Sequence, residues 1–258
     1  SQKLIEDVES GEDINTSLDK FERSTEVTEA EEAGGTLGEI MCEIFNEVDG
    51  GKPIDKTLTG IPIVDECTNG LAKGELVTIG AKSGKGKSAL AIRMAVNMFR
   101  DDKKVLIVSR EMSKKQIGER ILLAHSGVTK ENYEKRTLSE TDWVRIVETT
   151  EAFNTDQIII DDKIATIPEI KQAVRKHKPD ILIVDYVQLL TPTNPRDSRE
   201  RQVADMSREL KKMTSDFDMI VVQLTQLAEK GIGNYRPHGE SYPRESRAIY
   251  HGSNIVIY

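Results

Sequence analysis

Apolar positions along the chain follow two alternating rhythms. Short, nearly unbroken runs, "ELVTIG" (75–80), "KVLIVS" (104–109), "QIIID" (157–161), "ILIVD" (181–185), "MIVVQL" (219–224) and "NIVIY" (254–258), read as buried strands. Between them, apolar residues spaced by three and four predict helices near 86–99, 113–125, 139–152, 167–177 and 200–215. Ser113 with Gln116, and Thr166 with Glu169, are start signals in which a side chain at each end answers the other's backbone amide. Trp143, Ile146, Val147 and Phe153 share a helical spacing and are expected in the core. Strands alternating with helices predict an α/β fold: a mostly parallel, twisted sheet with helices on both faces. Such sheets bind ligands at the carboxyl ends of their strands.

Ahead of this alternation stands "TLGEIMCEIFNEV". Thr36 and Glu39 form another capping box, and Leu37, Ile40, Met41, Ile44, Phe45 and Val48 make one apolar stripe. The stripe predicts a buried face. It leaves open whether the helix's own domain or a neighbouring subunit does the burying. Residues 11–35 are polar, acidic and end in Gly-Gly, as a mobile linker would be. The expected organisation is an acidic linker over 1–35, a linker or docking helix over 36–58, and a core over 59–258.

Composition narrows this picture without changing it. The chain has 258 residues, enough for one substantial core and an appendage. No run approaches the roughly 18 apolar residues of a membrane helix. The charged opening "SQKLIEDVES" is unlike a signal peptide, so no membrane role and a cytoplasmic setting are expected. Cys42 and Cys67, with no metal spacing, fit a reduced compartment and no nucleophilic role. His238 and His251 are read as ordinary polar residues, lacking a third ligand. Net charge is −8, yet residues 1–35 hold three bases against eleven acids, which accounts for all of it. The remainder is balanced, so nothing electrostatic bars it from nucleic acid.

The candidate chemistry begins at "AKSGKGKS" (81–88), which fits GxxxxGK[ST] at every specified position but the first. A strand precedes it and a helix follows, as a phosphate loop requires. Ala81, Lys82, Ser83, Gly84, Lys85, Gly86, Lys87, Ser88 and Ala89 would then surround a nucleotide's phosphates. Lys87 would reach the β- and γ-phosphates, and the Ser88 hydroxyl would ligate Mg²⁺. Asp185 closes a buried strand, where a carboxylate is costly unless it has a ligand or partner, so it is the second Mg²⁺ candidate. Glu111 lies just beyond the strand after the loop's helix. If that strand neighbours 75–80, Glu111 faces the γ-phosphate as a general base; otherwise it is a solvated surface acid. Gln223 and Gln226 both lie near the end of a further strand, and either could sense the γ-phosphate.

"GAKSGKGKSALAIRMAVNM", "SREMSKKQIGERIL", "ILIVDYVQLL", "VVQLTQL" and "PRESRAI" occur in an order that resembles the replicative DNA helicases of the DnaB family. The resemblance covers residues 36–258 and implies a RecA-like P-loop NTPase core. The family commonly has alanine at the position of Ala81, so the departure from the commonest loop pattern belongs to this branch. The resemblance implies ATP and Mg²⁺ as cofactors and a homohexameric ring that moves along single-stranded DNA. It assigns Lys87 and Glu111 to catalysis, Ser88 and Asp185 to Mg²⁺, and Gln226 to the γ-phosphate, because "LTQL" is similar to the family's "LSQL"; Gln223 is then structural. Arg244, Glu245, Ser246 and Arg247 resemble the DNA-holding loop, with Arg247 in place of the usual glycine. A primase and a helicase loader are implied partners. The family's basic finger residues are expected after Tyr258, and its primase-contacting domain before this chain, so the chain looks like a fragment from a phage, prophage or plasmid member. The competing expectations are a RecA-like ring ATPase that does not unwind, and a nucleotide-binding scaffold.

Overall fold

The computed structural model describes residues 35–51, 55–227, 249 and 252–258. The chain divides into two units, Ser1–Pro53 and Ile54–Tyr258. In the first, helix α1 (Leu37–Asp49) starts as the sequence predicts: the Thr36 side chain accepts from the Glu39 amide, and Glu39 accepts from the Thr36 amide at 2.6 Å. None of its residues is buried, and Leu37 and Val48 are 69% and 75% exposed.

The second unit opens with a two-stranded antiparallel pair, β1 (Lys56–Thr57) and β2 (Leu71–Ala72), which flanks the short helix α2 (Pro62–Thr68). The main sheet follows. Its strands are β3 (Leu76–Ala81), β4 (Val105–Ser109), β5 (Ile158–Asp161), β6 (Ile181–Asp185), β7 (Ile220–Gln226) and β8 (Ile255–Ile257). Their spatial order is β5-β4-β6-β7-β3-β8, and every pairing is parallel. The crossovers carry α3 (Lys87–Arg100), α4 (Lys114–Ser126), α5 (Lys130–Lys135), α6 (Glu140–Ala152), α7 (Ile167–His177) and α8 (Arg199–Asp216). A parallel neighbour cannot be reached by a tight turn, which is why helices separate these strands.

Alternation along each strand builds two cores. Val105 and Ile107 of β4 join Met94, Met98 and Ile117 on one face. Leu106 and Val108 join Ile170, Val174, Val203 and Leu210 on the other. The four inner strands, β3, β4, β6 and β7, are buried on both faces and have no polar side to advertise, so their sequences are nearly continuous apolar runs.

The structure corrects the reading of one helix. Trp143 and Val147 on α6 are 56% and 51% exposed, not core residues. The helix turns Thr149 inward and leaves Ile146 half-buried, while Phe153 at its end stacks on Phe99 at 5.6 Å and packs against the first core. Apolar spacing carries the period of the helix but not which arc faces inward.

Candidate active site

The phosphate-loop residues leave β3 at Ala81 and enter α3 at Lys87. Gly84 and Gly86 take positive φ, 72° and 88°, a backbone region that side chains disfavour. A Cβ at either would meet no protein atom within 4 Å, so conformation, not crowding by the protein, requires glycine here. Gly86 is the N-cap of α3 and has no side chain to cap it. The first-turn amides therefore face outward with the helix dipole behind them, an arrangement suited to an anion. Lys82, Ser83 and Lys85 are exposed around the turn.

Lys87 is the exception: it is only 8% exposed. Its ammonium donates to Asp185 Oδ1 at 2.7 Å and to Glu111 Oε2 at 3.1 Å. It also stands 4.4 Å from the centroid of the Tyr186 ring. Asp185, 5% exposed at the end of β6, thus has the partner that its burial demands. Glu111 is the exposed member of the trio, with 44% of its side chain open to solvent.

Glu111 reaches Lys87 although the condition set for it, a β4 strand beside β3, is not met. Its strand β4 does not neighbour β3; β6 and β7 stand between them. Instead β4 lies beside β6 with Ser109 opposite Asp185, and the Arg110 amide donates to the Asp185 carbonyl at 2.7 Å. The loop bearing Glu111 is pinned on both sides. Arg110 donates to the Asp162 carbonyl at 3.0 Å, and the Met112 amide donates to Ser109 Oγ at 3.1 Å. Lys87, entering from α3, bridges the gap.

The two glutamines separate cleanly. Gln226 is the last residue of β7, directly opposite Ala81, and the Leu227 amide donates to the Ala81 carbonyl at 3.0 Å. It therefore ends next to the phosphate loop. Gln223 is fully buried and donates to Thr78 Oγ1 at 2.8 Å and Ser207 Oγ at 2.9 Å, tying α8 to the sheet. Arg244, Glu245, Ser246 and Arg247 lie outside the described residues. No three His, Cys, Asp or Glu side chains cluster as a metal site among the described residues. Among the described residues, no helix is long and apolar enough to cross a membrane.

A six-stranded parallel sheet with a glycine turn, a lysine and two carboxylates at its carboxyl edge defines a RecA-like P-loop ATPase core. Residues 57–258 match the family described as DnaB-like helicase C terminal domain, and the chain belongs to that family. The Replicative DNA helicase DnaB of Leifsonia xyli subsp. xyli (strain CTCB07) is 31% identical over 201 residues, 74% of this chain and 44% of that protein. The chain thus spans about half the length of the curated relatives it matches, from 37% to 58%. Among solved structures, one described as an ATPase domain superposes with a TM-score of 0.79 at 28% identity, over 87% of this chain and 83% of that one. A DnaB-like replicative helicase described with its interactions with primase gives 0.76 at 26% identity, over 99% of this chain and 63% of that one.

Proposed function

We propose that this chain is the motor domain of a replicative DNA helicase, hydrolysing ATP to drive movement along single-stranded DNA. The observation that carries the reading is the junction of Lys87, Asp185 and Glu111 beside the glycine turn. Three elements distant in sequence deliver there the groups that phosphoryl transfer to water needs: a cation, a metal-holding carboxylate and a base.

In this reading the amides from Ala81 to Ala89 cradle the β- and γ-phosphates, and Lys87 exchanges carboxylate for phosphate oxygens. Ser88 Oγ and Asp185 would hold Mg²⁺, which would supply positive charge against the phosphates. Glu111, the solvent-facing acid, orients and deprotonates the attacking water. Gln226, at the end of β7, touches the γ-phosphate and registers its loss. Arg244, Glu245, Ser246 and Arg247 hold the DNA backbone. A ring of six copies in the cytoplasm, with a primase and a loader as partners, completes the proposal. The uncovered apolar face of α1 supports assembly, since a second copy would bury it.

ATP turnover with and without single-stranded DNA, measured beside particle mass, tests this. DNA-stimulated turnover by a six-fold particle is expected. Turnover indifferent to DNA, or strand displacement on a forked duplex that survives Glu111→Gln, overturns it.

A further inference from the structure

The ladder between β6 and β7 stops early. Its last backbone pair is Val184 with Gln223, because after Asp185 the chain leaves the sheet and forms a 3-10 turn over Val187–Leu189. On its other side β7 stays paired with β3 through Gln226. The three residues of β7 beyond that pair, Leu224, Thr225 and Gln226, therefore have no register partner on the β6 side.

The side chain of Gln188 fills that gap. Its Nε2 donates to Thr225 Oγ1 at 2.6 Å and to the Gln226 carbonyl at 3.3 Å, and its Oε1 accepts from the Gln226 amide at 3.4 Å. A primary amide presents one donor edge and one acceptor, as a peptide group does. Here it replaces the missing rung of the sheet. The turn that carries Gln188 is anchored in its turn: the Arg199 guanidinium, at the start of α8, donates to the Gln188 carbonyl. Thr225 is fully buried, so its hydroxyl needs the partner that Gln188 provides.

We propose that Gln188 is a positioning residue for Gln226: its side-chain amide holds the end of β7 in ladder geometry and thereby aims the Gln226 side chain at the γ-phosphate. Gln188 lies three residues after Asp185. One short turn thus links the metal-holding carboxylate to the phosphate sensor, and a shift at the end of β6 moves the end of β7 with it. The proposal rests on the reading of Gln226 as that sensor.

The test is equilibrium titration of the whole chain, in Mg²⁺, with fluorescent ADP and a fluorescent non-hydrolysable ATP analogue. Gln226→Ala is expected to weaken the analogue about tenfold while leaving ADP within about twofold, the scale of one hydrogen bond to a charged group. Gln188→Met, which removes all three contacts at similar volume, and Thr225→Val, which removes one, are expected to weaken the analogue about three- to tenfold with ADP again unchanged. In a Gln226→Ala background, Gln188→Met should add nothing, because residues acting through one another are not additive. If Gln188→Met weakens both nucleotides alike, or neither, or adds fully to Gln226→Ala, the positioning role is wrong while the sensor stands. If Gln226→Ala itself leaves the analogue's affinity unchanged, the sensor reading fails and the positioning role goes with it.

Discussion

Helices α1 and α7 are written in the same local language and end in opposite circumstances. Each opens with a Thr–Glu capping box, Thr36 with Glu39 and Thr166 with Glu169, and each carries one apolar stripe. Helix α7 buries Ile167, Ile170 and Val174 against the sheet. Helix α1 buries nothing, and Leu37, Ile40, Met41, Ile44, Phe45 and Val48 all stand exposed. Capping and periodicity say that a helix forms and which side seeks cover. They do not say what supplies it, because burial is a property of the whole assembly.

A charge placed on each stripe separates the two helices most strongly. Ile170→Asp inserts an unpaired carboxylate into a dry core and is expected to cost about 4 kcal/mol or more, a large share of the roughly 5–15 kcal/mol that holds a domain folded. Phe45→Asp should leave the melting temperature of the core within a degree or so, since surface changes sit within about 0.5 kcal/mol. In the proposed ring its effect belongs to assembly: sedimentation should show the ring lost and the chain still folded. A ring that survives Phe45→Asp would show that the α1 face is covered by something other than a second copy.

A smaller effect is expected at the active site. Lys87→Met leaves Asp185 buried without its counter-ion, at about 3 kcal/mol by denaturant titration. Adding Asp185→Asn should restore most of that loss. If the single variant is as stable as the parent, the buried pair is not held as described.

The smallest effect comes from acid. The bonds that Glu169 accepts from the Ala165 amide, the Thr166 hydroxyl and the Thr166 amide hold its carboxyl below its ordinary value of 4.5. The bonds that Glu39 accepts from the Thr36 amide and hydroxyl do the same there. A carboxyl depressed in the folded state stabilises above its unfolded value, and that stability is lost as pH falls through the lower, folded value. Stability should therefore decline below about pH 4.5. Glu169→Gln should flatten part of that decline in the core's melting, whereas Glu39→Gln should leave the core's acid profile unchanged. Equal effects of the two would erase the distinction between the helices.

Most of the fold was legible because buried parallel strands are written as unbroken apolar runs. All six main-sheet strands and the five long crossover helices fall within about two residues of expectation, as does α1. The pieces that escaped, β1, β2, α2 and α5, are too short to show a period. Strand order escaped as well. It depends on contacts between distant segments, so the sequence left open whether β4 neighbours β3; it does not, and Glu111 still reaches Lys87. At the site, Lys87, Gly84 and Gly86 were legible because their spacing is local. Gln188 was visible within "DYVQL" but had no assigned task; only the early end of the β6–β7 ladder reveals one.

In the proposed mechanism a nucleotide's phosphates bind at Lys87, held by Asp185 and Glu111 beside the glycine turn. The most direct test is the rise in melting temperature on adding a non-hydrolysable ATP analogue with Mg²⁺, compared between the parent chain and Lys87→Met/Asp185→Asn, in which the buried pair is replaced as a unit. Ligand binding to the folded state stabilises by mass action, about 2.7 kcal/mol at a hundredfold excess over Kd. The parent is expected to gain several degrees and the double variant almost none. An equal gain in both would contradict the assignment and put the phosphates elsewhere.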